Sequence, residues 1–188
     1  FKNLMWYVLP DSNRQYPLTI ETVNKIKALN AKGVKATELE TADVTNAQKS
    51  KEAELQFVDV VGKMALLAEK QGIIIAMENL NRSETNFGNS VLDVLAIAKE
   101  INRPGFKVTA DIYHMLREDE SAKSIKTAGS WLVHCHIAEE KDRSYPGKSG
   151  EDFRPYFTAF REIGYVGKIM MECRWTDLNK EAAGAMVY

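Results

Sequence analysis

Four residues of this sequence have side chains suited to holding a metal cation and recur at regular intervals: Glu78, Asp111, His136 and Glu172. Each lies near the end of an apolar, strand-like run: IIIAMEN (73–79), FKVTADI (106–112), WLVHCHIAE (131–139) and KIMMECRW (168–175). Their separations are 33, 25 and 36 residues (111 − 78, 136 − 111 and 172 − 136), each close to the roughly 30 residues of one βα unit. Consecutive parallel strands would carry all four to the same C-terminal rim, where barrel enzymes place their chemistry. Alternation along a strand puts Glu78 on one side with Ala76 and Ile74, His136 with His134, and Glu172 with Met170. Three carboxylates crowded on one rim repel one another, and a divalent cation removes that cost while keeping them ionised. An oxygen-rich set with one imidazole suits Mn²⁺, Mg²⁺ or Co²⁺, with Zn²⁺ also able to bind, whereas structural Zn²⁺ sites favour thiolates. One ion is enough for this set.

The elements that must position these residues alternate in type. Residues 52–70 (EAELQFVDVVGKMALLAEK) have helical apolar spacing and stop at Gln71-Gly72 before the first ligand strand. Ser90 can cap a second helix, VLDVLAIAKEI (91–101), which Asn102-Arg103-Pro104-Gly105 ends before the next strand. A third unit runs through SAKSIKTAGS (121–130). In the fourth, Ser149 and Asp152 have capping-box spacing ahead of FRPYFTAFREI (153–163), and Gly164 stops the helix. Such alternation predicts a parallel α/β sheet, closed or open.

Before residue 50 the pattern is less complete. NLMWYVL (3–9) reads as a strand, IETVNKIKALNAKGV (20–34) as a helix, and KATELE (35–40) as a second strand, giving six strands in all. An eight-stranded barrel typically takes about 250 residues, so two units are expected to be missing or abbreviated, or the sequence to be a piece of a longer protein. The residues from Leu178 to Tyr188 read as the start of a closing helix.

The stretches IAMENLNR, VTADIYHM, LVHCHIAE and KIMMECRW resemble the sugar-phosphate isomerase/epimerase family related to xylose isomerase, and in motif the ketose 3-epimerases above all. The resemblance covers roughly residues 50 to 175. It implies an α/β fold, a (β/α)8 TIM barrel of xylose-isomerase type, as one domain over 1–188 that is fragmentary or shortened before residue 50. It implies metal ligation by Glu78, Asp111, His136 and Glu172, with Glu78 and Glu172 as the acid/base pair. It also implies that Glu84, His114 and Arg143 bind substrate oxygens, although Arg143 lies seven residues past His136, one more than the epimerase pattern. His134 is expected to share the barrel interior as a hydrogen-bond donor behind the ligands. Trp6 and Tyr7 are candidates for an apolar wall against a sugar face, and Glu38 and Glu40 for polar contacts. The implied reaction is isomerisation or epimerisation of a ketose or related sugar by proton transfer through a metal-stabilised enediolate.

The composition narrows the partners. The 188 residues are 45% hydrophobic and 27% charged, and 25 Lys and Arg against 26 Asp and Glu leave a net charge of −1. That charge offers no attraction for nucleic acid or an anionic membrane, and apolar stretches such as Ile73 to Met77 and Met64 to Ala68 are too short to span a bilayer. Cys135 and Cys173 read as buried thiols, which fits a reducing, cytoplasmic setting. A small-molecule sugar is the expected partner, with a homo-oligomer open. Two other functions compete: an endonuclease IV-like phosphodiesterase, which needs several metals and a basic surface, and a non-catalytic sugar-binding domain. Pro146-Gly147-Lys148-Ser149-Gly150 matches a phosphate-cradling loop only in composition, and reads instead as a flexible active-site loop.

Overall fold

In the computed structural model, residues 3–5 and 47–185 are described. Two compact units are distinguished, Phe1–Trp6 with Val58–Tyr188, and Tyr7–Phe57. Of the second unit, only the residues from Ala47 that open helix α1 (Ala47–Lys70) are described. The expected strand 35–40 and helix 20–34 lie outside the described residues.

The first unit is built on five parallel strands in chain order: β1 (Asn3–Met5), β2 (Ile74–Glu78), β3 (Phe106–Asp111), β4 (Leu132–Ile137) and β5 (Lys168–Met171). Parallel neighbours require crossovers. These are made by α2 (Val91–Ile101) between β2 and β3, by α3 (Ile112–Arg117) and α4 (Lys123–Ala128) between β3 and β4, and by α5 (Arg154–Glu162) between β4 and β5; α6 (Leu178–Ala185) follows β5. Consecutive ligand strands are thus adjacent and point the same way, as the spacing predicts. β3 is buried on both faces. Phe106, Val108 and Ala110 lie on its apolar side, and Thr109 and Asp111 alternate to the other.

The register between β3 and β4 is shifted: Val108 pairs with Leu132, but Thr109 pairs with His134. Val133 is the extra residue of a bulge. Beyond it Asp111 lies level with His136, and His136 with Met170, two residues before Glu172.

Local chemistry explains the boundaries. The Ser90 hydroxyl accepts the Asp93 N–H at 3.0 Å and caps α2, and Asn102 closes the helix in the left-handed conformation at φ 47°. Gly105 allows the close approach of α1, because a Cβ there would stand 2.9 Å from the Ala65 carbonyl oxygen and 2.6 Å from Glu69 Cγ.

Three expectations are corrected. The run 106–112 is not all strand, since Ile112 opens α3 with Asp111 as its cap. Ser149 and Asp152 form no capping box: Asp152 binds the backbone N–H and guanidinium of Arg154, and Ser149 donates its N–H to Glu139. Phe153 precedes α5 with no side-chain cap. The last strand is also shorter than 168–175, ending at Met171. Cys135 is buried, Cys173 half-buried, and both are free thiols. No helix among the described residues is long and apolar enough to cross a membrane.

Candidate metal centre

Glu78 ends β2, Asp111 ends β3, His136 is the penultimate residue of β4, and Glu172 follows β5, its N–H bonded to the Ile137 carbonyl at 3.2 Å. One ligand atom from each of the four lies within 4.8 Å of the others. His136 Nδ1 is 2.5 Å from Glu78 Oε1, 3.3 Å from Glu172 Oε2 and 3.7 Å from Asp111 Oδ2. Three carboxylates therefore converge on one imidazole nitrogen, at a site where Asp111 and His136 are each 1% exposed.

Asp111 divides its two oxygens. Oδ1 accepts the His114 N–H at 3.2 Å and caps α3, whereas Oδ2 is buried with no hydrogen-bond partner among the described residues. A buried anionic oxygen without a donor is costly unless a cation faces it. Three hard oxygen donors and one imidazole, with that oxygen unsatisfied, fit a divalent ion such as Mn²⁺, Mg²⁺ or Co²⁺.

Proton affinities report the same crowding. Burial pulls the His136 imidazole down, but hydrogen bonds to Asp111, Glu172 and Glu78 outweigh it and push it up to about 11. Burial raises Glu78 above the carboxylate range, and the charge of Asp111 adds to this against the opposing pull of His136. Burial also acts to raise Asp111, yet the His136 imidazole foremost, with His114 beside it, brings it down to about 2.

The linkage has a defined sign. His136 and Glu78 both bind protons more tightly in the folded state than in the unfolded chain, so raising the pH removes stability from the metal-free protein. For His136 this contribution is complete below the unfolded value of 6.5 and is lost as the pH climbs toward about 11. In chelator, stability is expected to fall between pH 6.5 and 9 by about 1 kcal/mol per pH unit for one released proton. Saturating Mn²⁺ should flatten the fall, because the ion takes the place of the proton. Thermal melts across pH with and without metal measure this; a metal-free stability that rises with pH would contradict it.

The expected substrate residues lie against the same cluster. His114 is fully buried. Its Nδ1 accepts the Asn81 backbone N–H at 3.1 Å and lies 2.8 Å from the Asn81 side-chain nitrogen, which assigns the ring proton to Nε2. That Nε2 is 3.8 Å from Asp111 Oδ2 and has no hydrogen-bond partner among the described residues, and burial lowers the proton affinity of the ring. His114 thus presents one neutral N–H donor to the centre. Arg143 Nη2 donates to Glu172 Oε2 at 2.8 Å and Nε to the Glu172 carbonyl at 3.2 Å. Its guanidinium is 3.6 Å from Asp111 Oδ2 and 3.7 Å from Glu84 Oε1, and stacks over the Tyr113 ring at 4.6 Å. Glu84 in turn accepts the Asn81 amide at 3.1 Å. Trp6, with Tyr7, Glu38 and Glu40, lies outside the described residues.

His134 is corrected. Neither ring nitrogen makes a hydrogen bond among the described residues; the ring packs edge-on against His136, centroids 4.9 Å apart. With His136 Nδ1 turned to the carboxylates, the two-residue spacing sets the rings side by side and leaves His134 no acceptor.

The 146–150 loop is no phosphate cradle, in keeping with a match in composition only. Its amides point inward to an anion the chain already carries. Gly147, Gly150 and Glu151 donate N–H groups to Glu139 Oε1 at 2.9, 3.1 and 3.4 Å, and the Ser149 N–H and Ser144 hydroxyl bind Oε2 at 2.6 and 2.8 Å. The carboxyl is fully buried; burial opposes its ionisation, but the Ser144, Ser149 and Glu151 donors hold its pKa below the usual range. A phosphate would find these donors taken.

Sequence reasoning missed Glu139, Asn79 and Asn81. Asn79 replaces a ladder pair, accepting the Asp111 N–H at 2.9 Å and donating to the Asp111 carbonyl at 3.3 Å, so it fixes the main chain at a ligand. Asn81 joins His114 to Glu84. The signal for both was the repeated Asn directly after Glu78; for Glu139 it was an acid placed between a ligand strand and a glycine-containing loop.

A family model described as a xylose isomerase-like TIM barrel matches residues 19–186. The chain belongs to this family. Within the xylose isomerase-like barrels it is 39% identical over 124 residues to an L-ribulose 3-epimerase of Methylomonas sp. strain DH-1, an alignment covering 65% of this chain and 43% of that protein. The crystal structure of a D-allulose 3-epimerase from Methylomonas sp. in complex with D-allulose superposes with a TM-score of 0.62 at 37% identity, over 65% of this chain and 43% of the other. An AP endonuclease, family 2, from Brucella melitensis shares the fold at 19% identity, with a TM-score of 0.65 over 87% of this chain and 67% of that one. The chain spans about two fifths of the length of the curated relatives it matches, 43%, 39% and 40% of the first three.

Proposed function

We propose that this chain carries the metal centre of a divalent-metal-dependent sugar epimerase or isomerase acting on a ketose, with Glu78, Asp111, His136 and Glu172 as ligands. The observation that carries this reading is the convergence of their four ligand atoms within 4.8 Å, with Asp111 Oδ2 accepting no hydrogen bond among the described residues. The similarity to ketose 3-epimerases supports the substrate class. A bound divalent cation, Mn²⁺ for preference, supplies the positive charge that acidifies a C–H next to a carbonyl.

The protein's own groups do the rest. Glu172, half-buried and bonded to Arg143, takes the proton from one face of the sugar carbon. Glu78, only 8% exposed, bonded to His136 and drawn by burial toward its protonated form in the metal-free site, would return a proton to the other face. Delivery to the same carbon is epimerisation; delivery to its neighbour would be aldose–ketose isomerisation. The His114 Nε2–H and the Arg143 guanidinium are placed to bind the carbonyl-side oxygens, and Glu84 a hydroxyl. A DNA phosphodiesterase is less well served, because the described residues bring together one group of four metal-binding side chains and the net charge is −1.

The test is exchange of the carbon-bound hydrogen of free ketoses with D₂O. Incorporation that needs Mn²⁺ and stops in chelator is expected; none with any ketose in the presence of metal would overturn the reading.

His114→Ala and Arg143→Ala separate substrate from metal roles. Each is expected to lower kcat/KM roughly ten- to a hundredfold, the scale of one lost charge-assisted hydrogen bond of about 1.5–3 kcal/mol. The Mn²⁺ dissociation constant should not weaken, and for Arg143→Ala should tighten, since a cation 2.8 Å from Glu172 has been removed. Titration calorimetry beside steady-state kinetics measures both, and weaker Mn²⁺ binding in His114→Ala would make that residue a ligand.

A further inference from the structure

Arg143 reaches the centre from an unusual backbone. Asp142 and Arg143 are consecutive non-glycine residues at φ 59° and 50°, in the left-handed region that L side chains rarely adopt. Such a pair persists only where its surroundings over-determine it. Two contacts hold the turn from outside: the Glu139 N–H donates to the Ser144 carbonyl at 2.8 Å, and the Arg174 N–H donates to the Arg143 carbonyl at 2.8 Å. The third restraint is the Glu139 carboxylate. It binds the Ser144 hydroxyl directly after Arg143, and through four amides it folds residues 147–151 back over the same turn. No ligand contact accounts for a fully buried charge with five donors three residues past His136.

We propose that Glu139 is a positioning residue, whose carboxylate gathers the 144–151 loop and thereby sets the turn that aims Arg143 at Glu172. Its kinetic consequence rests on the sugar-epimerase reading, whereas its structural consequence does not.

The test uses Glu139→Gln and Glu139→Asp in the full chain, alone and combined with Arg143→Ala. A glutamine is isosteric but turns an NH₂ toward the donors, and an aspartate keeps the charge on a shorter stem. In Glu139→Gln, the amides of Gly147, Ser149 and Gly150 should exchange hydrogen faster and the Arg143 Nε–H resonance should shift. The kcat/KM should fall about tenfold with the Mn²⁺ dissociation constant within about threefold of wild type. The Glu139→Gln/Arg143→Ala double variant should be no slower than Arg143→Ala alone, because the effect runs through Arg143. Glu139→Asp should restore part of the loss, and it decides the matter by the same resonance if the glutamine variant does not fold.

An unshifted Arg143 resonance despite faster loop exchange would overturn the proposal, as would fully additive kinetic losses. If the wild-type protein turns over no ketose, the epimerase reading fails by itself, and the Arg143 resonance still decides the role of Glu139.

Discussion

Glu172→Gln is expected to keep the fold and to lose turnover by about 10³-fold or more. General acid–base groups contribute typically about 10²–10⁴-fold, and the neutral amide also withdraws one negative ligand from the cation. The fold should hold because Glu172 lies beyond the last residue of β5 and is half-buried rather than part of the apolar core. The Arg143 guanidinium can still donate to the amide oxygen and to the Glu172 main-chain carbonyl. Circular dichroism, Mn²⁺ titration and deuterium incorporation on one preparation make the comparison. A near-native rate would remove Glu172 from the proton transfer, whatever happened to metal binding.

Asp111→Asn should abolish the rise in melting temperature on adding Mn²⁺. An ion at a hundred times its dissociation constant stabilises a native state by about 2.7 kcal/mol, which for a chain of 188 residues corresponds to roughly 5–10 °C. The substitution is selective. Asparagine is as good an N-cap as aspartate, so the bond that starts α3 survives, and the Asn79 clamp involves only the main chain of residue 111. What disappears is the charge at Oδ2. If the variant melts at the wild-type metal-free temperature yet still gains several degrees from Mn²⁺, Asp111 is not part of the centre.

The two parts of the site were not equally legible in the sequence. The four candidate ligands could be read because each lies within one residue of a strand's end, strands have a fixed two-residue alternation, and one βα unit has a nearly fixed length; spacing alone then stacks them on one rim. Helix α2 was readable to the residue, since Ser90 and Asn102 are chemically committed to its two ends. Asp111 was harder. Its apolar neighbours read as strand through Ile112, and only the fold shows that one oxygen caps a helix while the other faces the centre. Glu139 was invisible for a related reason: its partners are backbone amides, which every residue has, and whether they converge depends on how a loop closes. Ser149 and Asp152 misled because capping-box spacing also occurs where the acid finds a closer arginine, here Arg154. The expected substrate residues came from the family resemblance, and their placement relies on Asn81, whose side-chain amide ties two of them together.

The bulge at Val133 bears on how such a site tolerates insertion and deletion. The heights of Glu78, Asp111, His136 and Glu172 are set by strand register, and a one-residue slip would present the opposite face of a strand. Crossover loops and helices can therefore lengthen or shorten without moving a ligand, while a deletion ahead of His136 in β4 would bring Ile137 level where His136 now stands. Arg143 is under the opposite regime. It hangs from a turn, sits one residue further from His136 than in the epimerase pattern, and still reaches Glu172 through two left-handed residues. Sequence drift should accordingly accumulate as length changes in the loops around Arg143 and as identity-conserving changes within the strands.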